Sequence, residues 1–513
     1  MLPIISSSNS LFLLSFFIVA FGQPMRSGML SALASCLGYA LFWARNKSFW
    51  RAVVWFGAVQ AVQLSWLMET TYMGLGILGV YGFLVVALGL QFGLLTKTLQ
   101  QPLTWPRMLG AAGLWVWLEW IRLLPLTGFP WNPAGLSLAG NSFSIQFAAL
   151  FGVYGLSFWV MLTNLAALKH RLSWAVLALT PYAFGLLHQT YWDTSATEHL
   201  SVALVQTGLR NEQKDYFPSN PEAFVSPLHQ WERILTGLTP HDLIVLPEAA
   251  LPFGSTREVY PAEMVRQVWE KCFGEQLFVP SKKVSNLFWA KQMASRFGAE
   301  VIVGMDAGDK KGKYNAAFHC PPKTDNETLR YDKRMLVPVG EYVPFSTWPF
   351  VASFVAEQFG IEQSFTPGTE SKIFPGKIPL GITICSEEIY SHLVRDTRRA
   401  GAELLVNITN DGWFPGTRLP QLHCLHGQLR AAENGVGLVR ACNTGVTAVI
   451  DRFGSVRTKL SVPEFTSGVL SAHVPVQSHT TLYTLCGDHL LLALSALFLF
   501  GLRKRLPEYR SVN

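Results

Sequence analysis

The sequence predicts a multi-span α-helical membrane bundle joined to an α/β domain that lies outside the cytoplasm. Of the 513 residues, 50% are hydrophobic and 15% are charged, which is too apolar for a chain that is soluble throughout. Long uncharged runs are confined to roughly the first 190 residues and a stretch near the C-terminus. The region between them alternates short strand patterns with helix patterns.

Eight apolar segments are predicted to span the membrane, because a span needs about 20 apolar residues. They are 10–22, 28–44, 50–67, 72–95, 107–124, 142–168, 172–191 and 482–502. The first resembles the apolar core of a signal peptide, but no basic residue precedes it, so we assign it as a span. The expected domains are therefore 1–192 for a bundle of seven helices, 193–480 for the polar domain, and 481–513 for the eighth span with a cytoplasmic tail.

Basic residues in the short loops predict the orientation, since Lys and Arg are retained on the cytoplasmic side. Apart from Arg26, they occupy alternate loops and the stretch after the last span: Arg45, Lys47, Arg51, Lys97, Arg107, Lys169, Arg171, Arg503, Lys504 and Arg505. Both termini are thus expected in the cytoplasm of a bacterium, with residues 193–480 on the periplasmic side of the inner membrane. The net charge of +7 shows no basic patch with interleaved aromatics, so a nucleic-acid partner is not expected.

Two charged residues, Glu119 and Arg122, interrupt one predicted span in "WVWLEWIRLL". A charge within a span is a functional hypothesis by default. Opposite charges three residues apart on a helix can also neutralise each other inside a bundle. We favour this structural alternative.

The polar region is predicted to form an α/β or α+β sandwich in which helices cover sheets. Short apolar, β-branched runs predict strands at 202–207, 243–248, 301–305, 380–385, 404–409, 438–443 and 447–451. Helix patterns occur at 261–271, 286–297 and 419–434. The stretch 253–290 as a whole is not assigned to a core element, and we expect either a mobile arm over the site or a loop that dips into the membrane.

Reactive side chains follow several of these elements. Glu248 ends "LIVLPE", Lys333 and Glu341 lie in "LRYDKRMLVPVGEYVPF", and Cys385 ends the strand pattern of "GITICSEEIY". Taken singly, these residues have ordinary explanations as a solvated strand end, a surface lysine and a core cysteine. Together they favour chemistry, because α/β folds assemble sites at strand ends and a thiol nucleophile needs a base and a cation.

The other cysteines predict neither a metal site nor a disulfide framework. The seven cysteines show no CxxC pair and no Cys/His spacing of the kind that holds zinc. We expect no metal and no cofactor. The remaining four in the polar domain are expected to be small buried hydrophobes, with a pairing among them left open: Cys272, Cys320, Cys424 and Cys442.

The order Glu, Lys, Cys in these motifs resembles the nitrilase superfamily. With seven preceding spans and the motifs "GFPW", "NDGWF", "RAAENG" and "RACNTGVTAVID", the chain is similar to the bacterial apolipoprotein N-acyltransferases of that superfamily. The resemblance implies an α-β-β-α sandwich with Glu248, Lys333 and Cys385 as catalytic residues, supported by Glu341 and Glu387.

The chain departs from the family pattern at two places. Ser386 follows the nucleophile where the family commonly has Tyr, and a family Trp expected soon after "ALVQ" is absent, with Asp215 and Tyr216 in that neighbourhood. These departures leave substrate positioning open and affect the core chemistry much less.

The expected chemistry begins with the thiol of Cys385, which is only a small fraction thiolate at neutral pH when unperturbed. Glu248 as general base and Lys333 as a nearby cation are expected to raise the reactive fraction. Lys333 and the backbone N–H after Cys385 are expected to stabilise the oxyanion that forms on an ester carbonyl.

The resemblance implies the substrates. Cys385 would take an acyl chain from phosphatidylethanolamine or a similar phospholipid as a thioester, and pass it to the α-amino group of the diacylglyceryl-modified N-terminal cysteine of an apolipoprotein. We expect a monomer. One alternative is a membrane-anchored nitrilase-type amidase that uses water; the other is a non-enzymatic membrane binding protein, against which the intact Glu248, Lys333 and Cys385 argue.

The predicted orientation can be tested with reporter fusions. A reporter that is active only outside the cytoplasm should be active when fused near residue 300 and silent when fused after residue 505, because the eighth span returns the chain to the cytoplasm. Reporter activity at both points would contradict the prediction of an eighth span.

Overall fold

The computed structural model describes residues 8–22, 28–193, 198–214, 220–323, 327–346, 348–350, 352–353 and 364–503. The chain divides into two compact units: one comprises 1–68, 78–191 and 485–513, and the other comprises 69–77 and 192–484. Several residues named above lie outside the described ranges, namely Arg26, Asp215, Tyr216, Lys504 and Arg505, as does the rest of the expected cytoplasmic tail.

The apolar segments are helical at all eight predicted positions. The α-helices are Ser8–Phe21, Gly28–Leu33, Tyr39–Trp43, Phe49–Gln63, Gly76–Thr98, Trp105–Trp120, Ala148–Ala167, Arg171–Trp192 and Leu482–Phe498. Short 3-10 helices or, at Ala34–Gly38, a π-helix adjoin them: Ser65–Met68, Ile121–Leu123, Pro125–Thr127, Ala134–Leu138, Ser144–Phe147 and Leu499–Leu502.

Three helical segments of the described chain are long and apolar enough to cross a membrane. They are Gly76–Thr98, Ser144–Ala167 and Leu482–Leu502, and two shorter apolar helices cover Ser10–Phe21 and Gly28–Trp43. The membrane bundle is therefore supported, while the number of eight spans stays a prediction.

Glu119 and Arg122 are both buried in the first unit and each contacts a different neighbour. Glu119 Oε1 accepts hydrogen bonds from Trp115 Nε1 and from the Ala134 N–H, both at 2.7 Å. The Arg122 Nε donates to Gln91 Oε1 at 2.8 Å. Two of these bonds join this segment to Ala134 and Gln91, and the mutual neutralisation of the two charges stays a prediction.

The second unit contains two six-stranded mixed sheets. The first has the order β14-β1-β2-β5-β6-β7, with β14 Gly468–Pro475, β1 His199–Gln206, β2 Leu243–Val245, β5 Glu300–Asp309, β6 Gly312–Cys320 and β7 Leu329–Asp332. The second has the order β13-β12-β11-β10-β9-β8, with β13 Val456–Lys459, β12 Ala448–Ile450, β11 Gly437–Cys442, β10 Leu404–Thr409, β9 Leu380–Ile384 and β8 Ile373–Phe374.

The alternation of side chains along the strands places one apolar core between the sheets. Val202 and Leu204 of β1 join the same cluster as Ile382 of β9 and Val406 of β10. The neighbouring Ala203 instead faces a second cluster on the outer side of the first sheet. The central strands β9, β10 and β11 are parallel, so their carboxyl ends meet at one edge.

Helices cover both outer faces, which confirms the predicted α-β-β-α sandwich. Residues of Pro227–Thr236, Ala262–Phe273 and Asn286–Phe297 pack in the outer cluster of the first sheet. Ser391–Arg399 and Leu419–Asn434 contribute to the cluster on the second sheet. Two helices have the predicted bounds, 286–297 and 419–434; a short helix also covers Asn211–Lys214.

The stretch 253–290 is built into the core, so its description as an arm or a membrane-dipping loop is wrong for most of its length. It contains a small hairpin, β3 Tyr260–Pro261 and β4 Lys283–Val284, and the helix Ala262–Phe273. The helix buries Val265 and Trp269, four residues apart, against the first sheet. Phe278 is 83% exposed, and Phe253 and Met264 are also exposed.

Asn286 forms hydrogen bonds with the segment that follows Glu248. Its Oδ1 accepts from Trp231 Nε1 at 3.0 Å and from the Tyr260 hydroxyl at 2.6 Å. Its Nδ2 donates to the carbonyl oxygens of Pro252 and Gly254, each at 2.7 Å. One fully buried amide therefore satisfies polar groups from four separate positions.

We expect Asn286→Leu to destabilise the second unit by about 2–5 kcal/mol, because it leaves several buried polar groups without partners. The loss should lower the midpoint of thermal unfolding of the detergent-solubilised protein, followed by tryptophan fluorescence. Ser295→Ala, at an exposed position of the same helix, is the control and should leave the midpoint unchanged. An unchanged midpoint in Asn286→Leu would contradict this role.

Candidate active site

The three predicted catalytic residues follow strands of both sheets. Glu248 comes three residues after β2, Lys333 directly after β7 of the same sheet, and Cys385 directly after β9 of the other sheet. Glu248 and Lys333 are buried, and the Cys385 side chain is partly exposed. The fold thus brings together residues that are separated by up to 137 positions in sequence, 385 − 248.

Lys333 is 1% exposed and lies between two carboxylates. Its Nζ is 2.9 Å from Glu341 Oε1 and 3.3 Å from Glu248 Oε1. Burial alone would lower the pKa of Lys333, but the charges of Glu248 and Glu341 outweigh it and raise this pKa well above its usual range. Lys333 is therefore a fixed cation at any physiological pH.

Asn315 of β6 completes this cluster and was not predicted from the sequence. Its Nδ2 donates to Glu248 Oε1 at 2.7 Å and to Glu341 Oε1 at 2.8 Å. Its carbonyl oxygen accepts the Lys333 N–H at 2.9 Å. Two carboxylates therefore share an ammonium group and an amide, which allows both to stay close together.

The backbone of Cys385 is in the left-handed region, with φ of 53°. This conformation costs a non-glycine residue roughly 1–2 kcal/mol and is kept only where neighbouring contacts impose it. Cys385 begins the 3-10 turn Cys385–Ile389, and its carbonyl oxygen accepts from Asn407 Nδ2 at 3.2 Å. The turn directs the chain away from β9 at the position of the thiol.

Burial raises the pKa of the Cys385 thiol, and the negative charge of Glu248 raises it further, while Lys333 lowers it. The resting group is therefore a thiol. This corrects one expectation: Glu248 does not increase the fraction of free thiolate.

Glu341 contacts the Lys333 ammonium, as expected for a supporting residue, and its Oε2 accepts the Val337 N–H at 2.8 Å. Glu387, the other expected supporting residue, binds backbone N–H groups. Its Oε1 accepts the Arg334 N–H at 2.6 Å, and its Oε2 accepts the Ile384 N–H at 2.8 Å. Glu387 thus binds the backbone beside Lys333 and beside Cys385, and links the two segments.

Ser386, which stands where the family commonly has Tyr, is buried in the 3-10 turn. The four other cysteines of the unit are free thiols, so the pairing left open by the sequence is not formed. Cys320, Cys424 and Cys442 are buried, and Cys272 is partly buried. Burial raises the pKa of Cys424 to about 11, consistent with an unreactive core thiol.

A second group of buried charges lies behind Cys385, and sequence reasoning missed it. Glu388 pairs with Arg440 Nε at 3.0 Å, and His423 Nδ1 lies 2.8 Å from Asp411 Oδ1. The only sequence signal was indirect, since Asp411 and Arg440 fall in "NDGWF" and "RACNTGVTAVID".

Comparison with known proteins now identifies the family. The carbon-nitrogen hydrolase family matches residues 190–482, and the apolipoprotein N-acyltransferase N-terminal domain matches residues 12–166. An apolipoprotein N-acyltransferase of Chlamydia pneumoniae is 31% identical, with 96% of each chain covered. The chain belongs to the apolipoprotein N-acyltransferase family. The corresponding protein of Chlamydia trachomatis is 33% identical, again over 96% of each chain.

A solved CN-hydrolase superfamily structure from Xanthomonas campestris aligns with 60% of this chain and 98% of its own, at 17% identity and a TM-score of 0.36. Membership of the apolipoprotein N-acyltransferase family makes the chain an acyltransferase and a bacterial membrane protein. The N-terminal match favours this function over the amidase alternative, because that domain is particular to these acyltransferases by its description.

Removing the charge of Glu248 should change the reactivity of Cys385 in a diagnostic direction. We expect Glu248→Gln to speed alkylation of Cys385 by iodoacetamide about 3- to 10-fold near neutral pH, because a lower thiol pKa gives more thiolate. The rate is measured by mass spectrometry of the Cys385 peptide. Glu263→Gln, at an exposed carboxylate, is the matched control and should have no effect. Slower alkylation in Glu248→Gln would contradict the electrostatics described above.

Proposed function

We propose that Cys385 takes an acyl chain from a membrane phospholipid as a thioester and transfers it to the α-amino group of a diacylglyceryl-modified cysteine at the N-terminus of an apolipoprotein. The observation that carries the proposal is the buried cluster of Glu248, Lys333 and Glu341, in which the charges of Glu248 and Lys333 act on the Cys385 thiol. Such a cluster provides a proton acceptor and a fixed cation beside a nucleophile.

In the first half-reaction the Cys385 sulfur attacks the ester carbonyl of the phospholipid. Its proton passes to Glu248 as the C–S bond forms. The carbonyl oxygen becomes an oxyanion that the Lys333 ammonium and the N–H of Ser386 stabilise. The C–O bond then breaks, and the lysophospholipid alkoxide takes the proton from Glu248 and leaves as an alcohol.

In the second half-reaction the lipoprotein amine attacks the thioester carbonyl. Glu248 accepts a proton from the amine as the C–N bond forms, and Lys333 again stabilises the oxyanion. The C–S bond breaks and Cys385 leaves with the proton returned by Glu248. The products are the N-acylated lipoprotein and the resting thiol, so the cycle needs neither a metal nor a cofactor.

The proposed donor and the basic loops together determine where the catalytic domain is expected. A phospholipid acyl chain leaves the bilayer only at a large cost in hydrophobic free energy, so the enzyme must meet its donor at the membrane. We place the catalytic domain on the periplasmic side of the inner membrane, with both termini in the cytoplasm, because the basic loops alternate. We also propose that a monomer carries the complete site, since Glu248, Lys333 and Cys385 come from one chain.

The proposal predicts a stable acyl-enzyme. Protein incubated with labelled phospholipid and no acceptor should carry one acyl chain, released by neutral hydroxylamine and absent in Cys385→Ala. Glu248→Gln should lose the adduct, because attack on an ester needs the base even though free thiolate is more abundant. The adduct is followed by mass spectrometry of the intact protein.

The acceptor separates the transferase from a hydrolase. A diacylated lipopeptide with a free N-terminus should clear the adduct, and the N-acetylated form of the same lipopeptide should not. Labelled free fatty acid as the main product in the presence of the lipopeptide would contradict the proposal. An adduct that persists in Cys385→Ala would show that another residue is the nucleophile.

A further inference from the structure

His423 lies directly behind the candidate nucleophile, and both nitrogens of its ring face oxygen acceptors. Nδ1 is 2.8 Å from Asp411 Oδ1, and Nε2 is 3.1 Å from the carbonyl oxygen of Cys385. Nε2 is also 3.4 Å from Glu388 Oε2. The carbonyl oxygen of Cys385 can only accept, so its contact with His423 requires a proton on Nε2.

Buried charged side chains from three elements surround His423. Asp411 faces His423 from the turn Asp411–Trp413, Glu388 faces it from the 3-10 turn, and Arg440 reaches Glu388 from β11. All four side chains are at most 2% exposed. These contacts fix the imidazole ring behind Cys385.

The two carboxylates around His423 differ in their pKa shifts. Burial would raise the pKa of Asp411, but the charge and hydrogen bond of His423 hold it below its usual range. Burial raises the pKa of Glu388, and this effect outweighs Arg440, whose Nε donates to both oxygens of Glu388 at 3.1 and 3.0 Å.

We infer that His423, held between Asp411 and Glu388, is a positioning residue that orients the Cys385–Ser386 peptide. The inference rests on the proposed function in one respect, namely that Cys385 is the nucleophile. His423 and Asn407 together hold the Cys385 carbonyl oxygen, at 3.1 and 3.2 Å.

The planarity of the peptide connects this contact to catalysis. In a trans peptide the C=O of Cys385 and the N–H of Ser386 point in opposite directions within one plane. Two donors on the carbonyl oxygen therefore also set the direction of the Ser386 N–H, the proposed oxyanion donor. They also maintain the left-handed φ of 53° at Cys385. Because His423 acts through the peptide, its loss should lower kcat and leave KM nearly unchanged.

The positioning role is tested by kinetics of acyl transfer from phospholipid to the lipopeptide. His423→Leu should lower kcat about 100-fold with KM within about 3-fold, since one misaligned oxyanion donor costs about that much. His423→Gln, whose amide can still donate to the carbonyl, should recover part of the loss. His426→Gln, an equally buried position three residues along the same helix, is the matched control and should keep kcat within about 3-fold.

The outcomes separate this inference from the proposed function. Equal losses in His423→Leu and His426→Gln, or a rise in KM alone, would overturn the positioning role while the acyl adduct on Cys385 still forms. If no adduct forms on Cys385 in the unmutated protein, the proposed function fails, and the positioning role of His423 fails with it.

Discussion

The geometry of the candidate site depends on one carboxylate that is shared between two sheets. Glu387 accepts the N–H groups of Ile384, at the end of β9, and of Arg334, one residue past Lys333. The hydroxyl of Tyr331 donates to the same carboxylate at 2.8 Å. Lys333 and Cys385 belong to different sheets, so no ladder of backbone hydrogen bonds relates them. The buried Glu387 supplies that relation, which explains why an acid follows the nucleophile by two residues.

Two clusters of buried ions act on Cys385. Glu248, Glu341 and Lys333 carry a net negative charge when all are ionised, which opposes thiolate formation. In the proposed cycle, transfer of the thiol proton to Glu248 leaves the total charge unchanged, and the negative charge then moves to an oxyanion near Lys333. In the cluster of Glu388, Asp411, His423 and Arg440, the charge of Asp411 also raises the pKa of the Cys385 thiol, while His423 contacts the Cys385 carbonyl oxygen.

The parts of the fold that could be predicted are those with a strong local pattern. The helices 286–297 and 419–434, and the strands that precede Glu248 and Cys385, follow from apolar periodicity and β-branched runs. Strands β6 and β7 were missed because "GKYNAAFHC" and "LRYD" mix polar and apolar residues, and Asn315 was missed with them. His423 and Arg440 could not be recognised either, since charged residues are mostly exposed and only the tertiary structure shows them to be buried and paired.

The burial that weakens the resting thiol bears directly on the proposed acyl transfer. Desolvation raises the pKa of Cys385, so a free thiolate is scarce, and the attack that we propose is coupled to proton transfer to Glu248. In such a site the nucleophile must already be oriented before the substrate binds. Reorientation during the attack would add to an activation free energy that the scarcity of thiolate already raises. The strained φ of Cys385 and the two donors on its carbonyl oxygen meet that requirement.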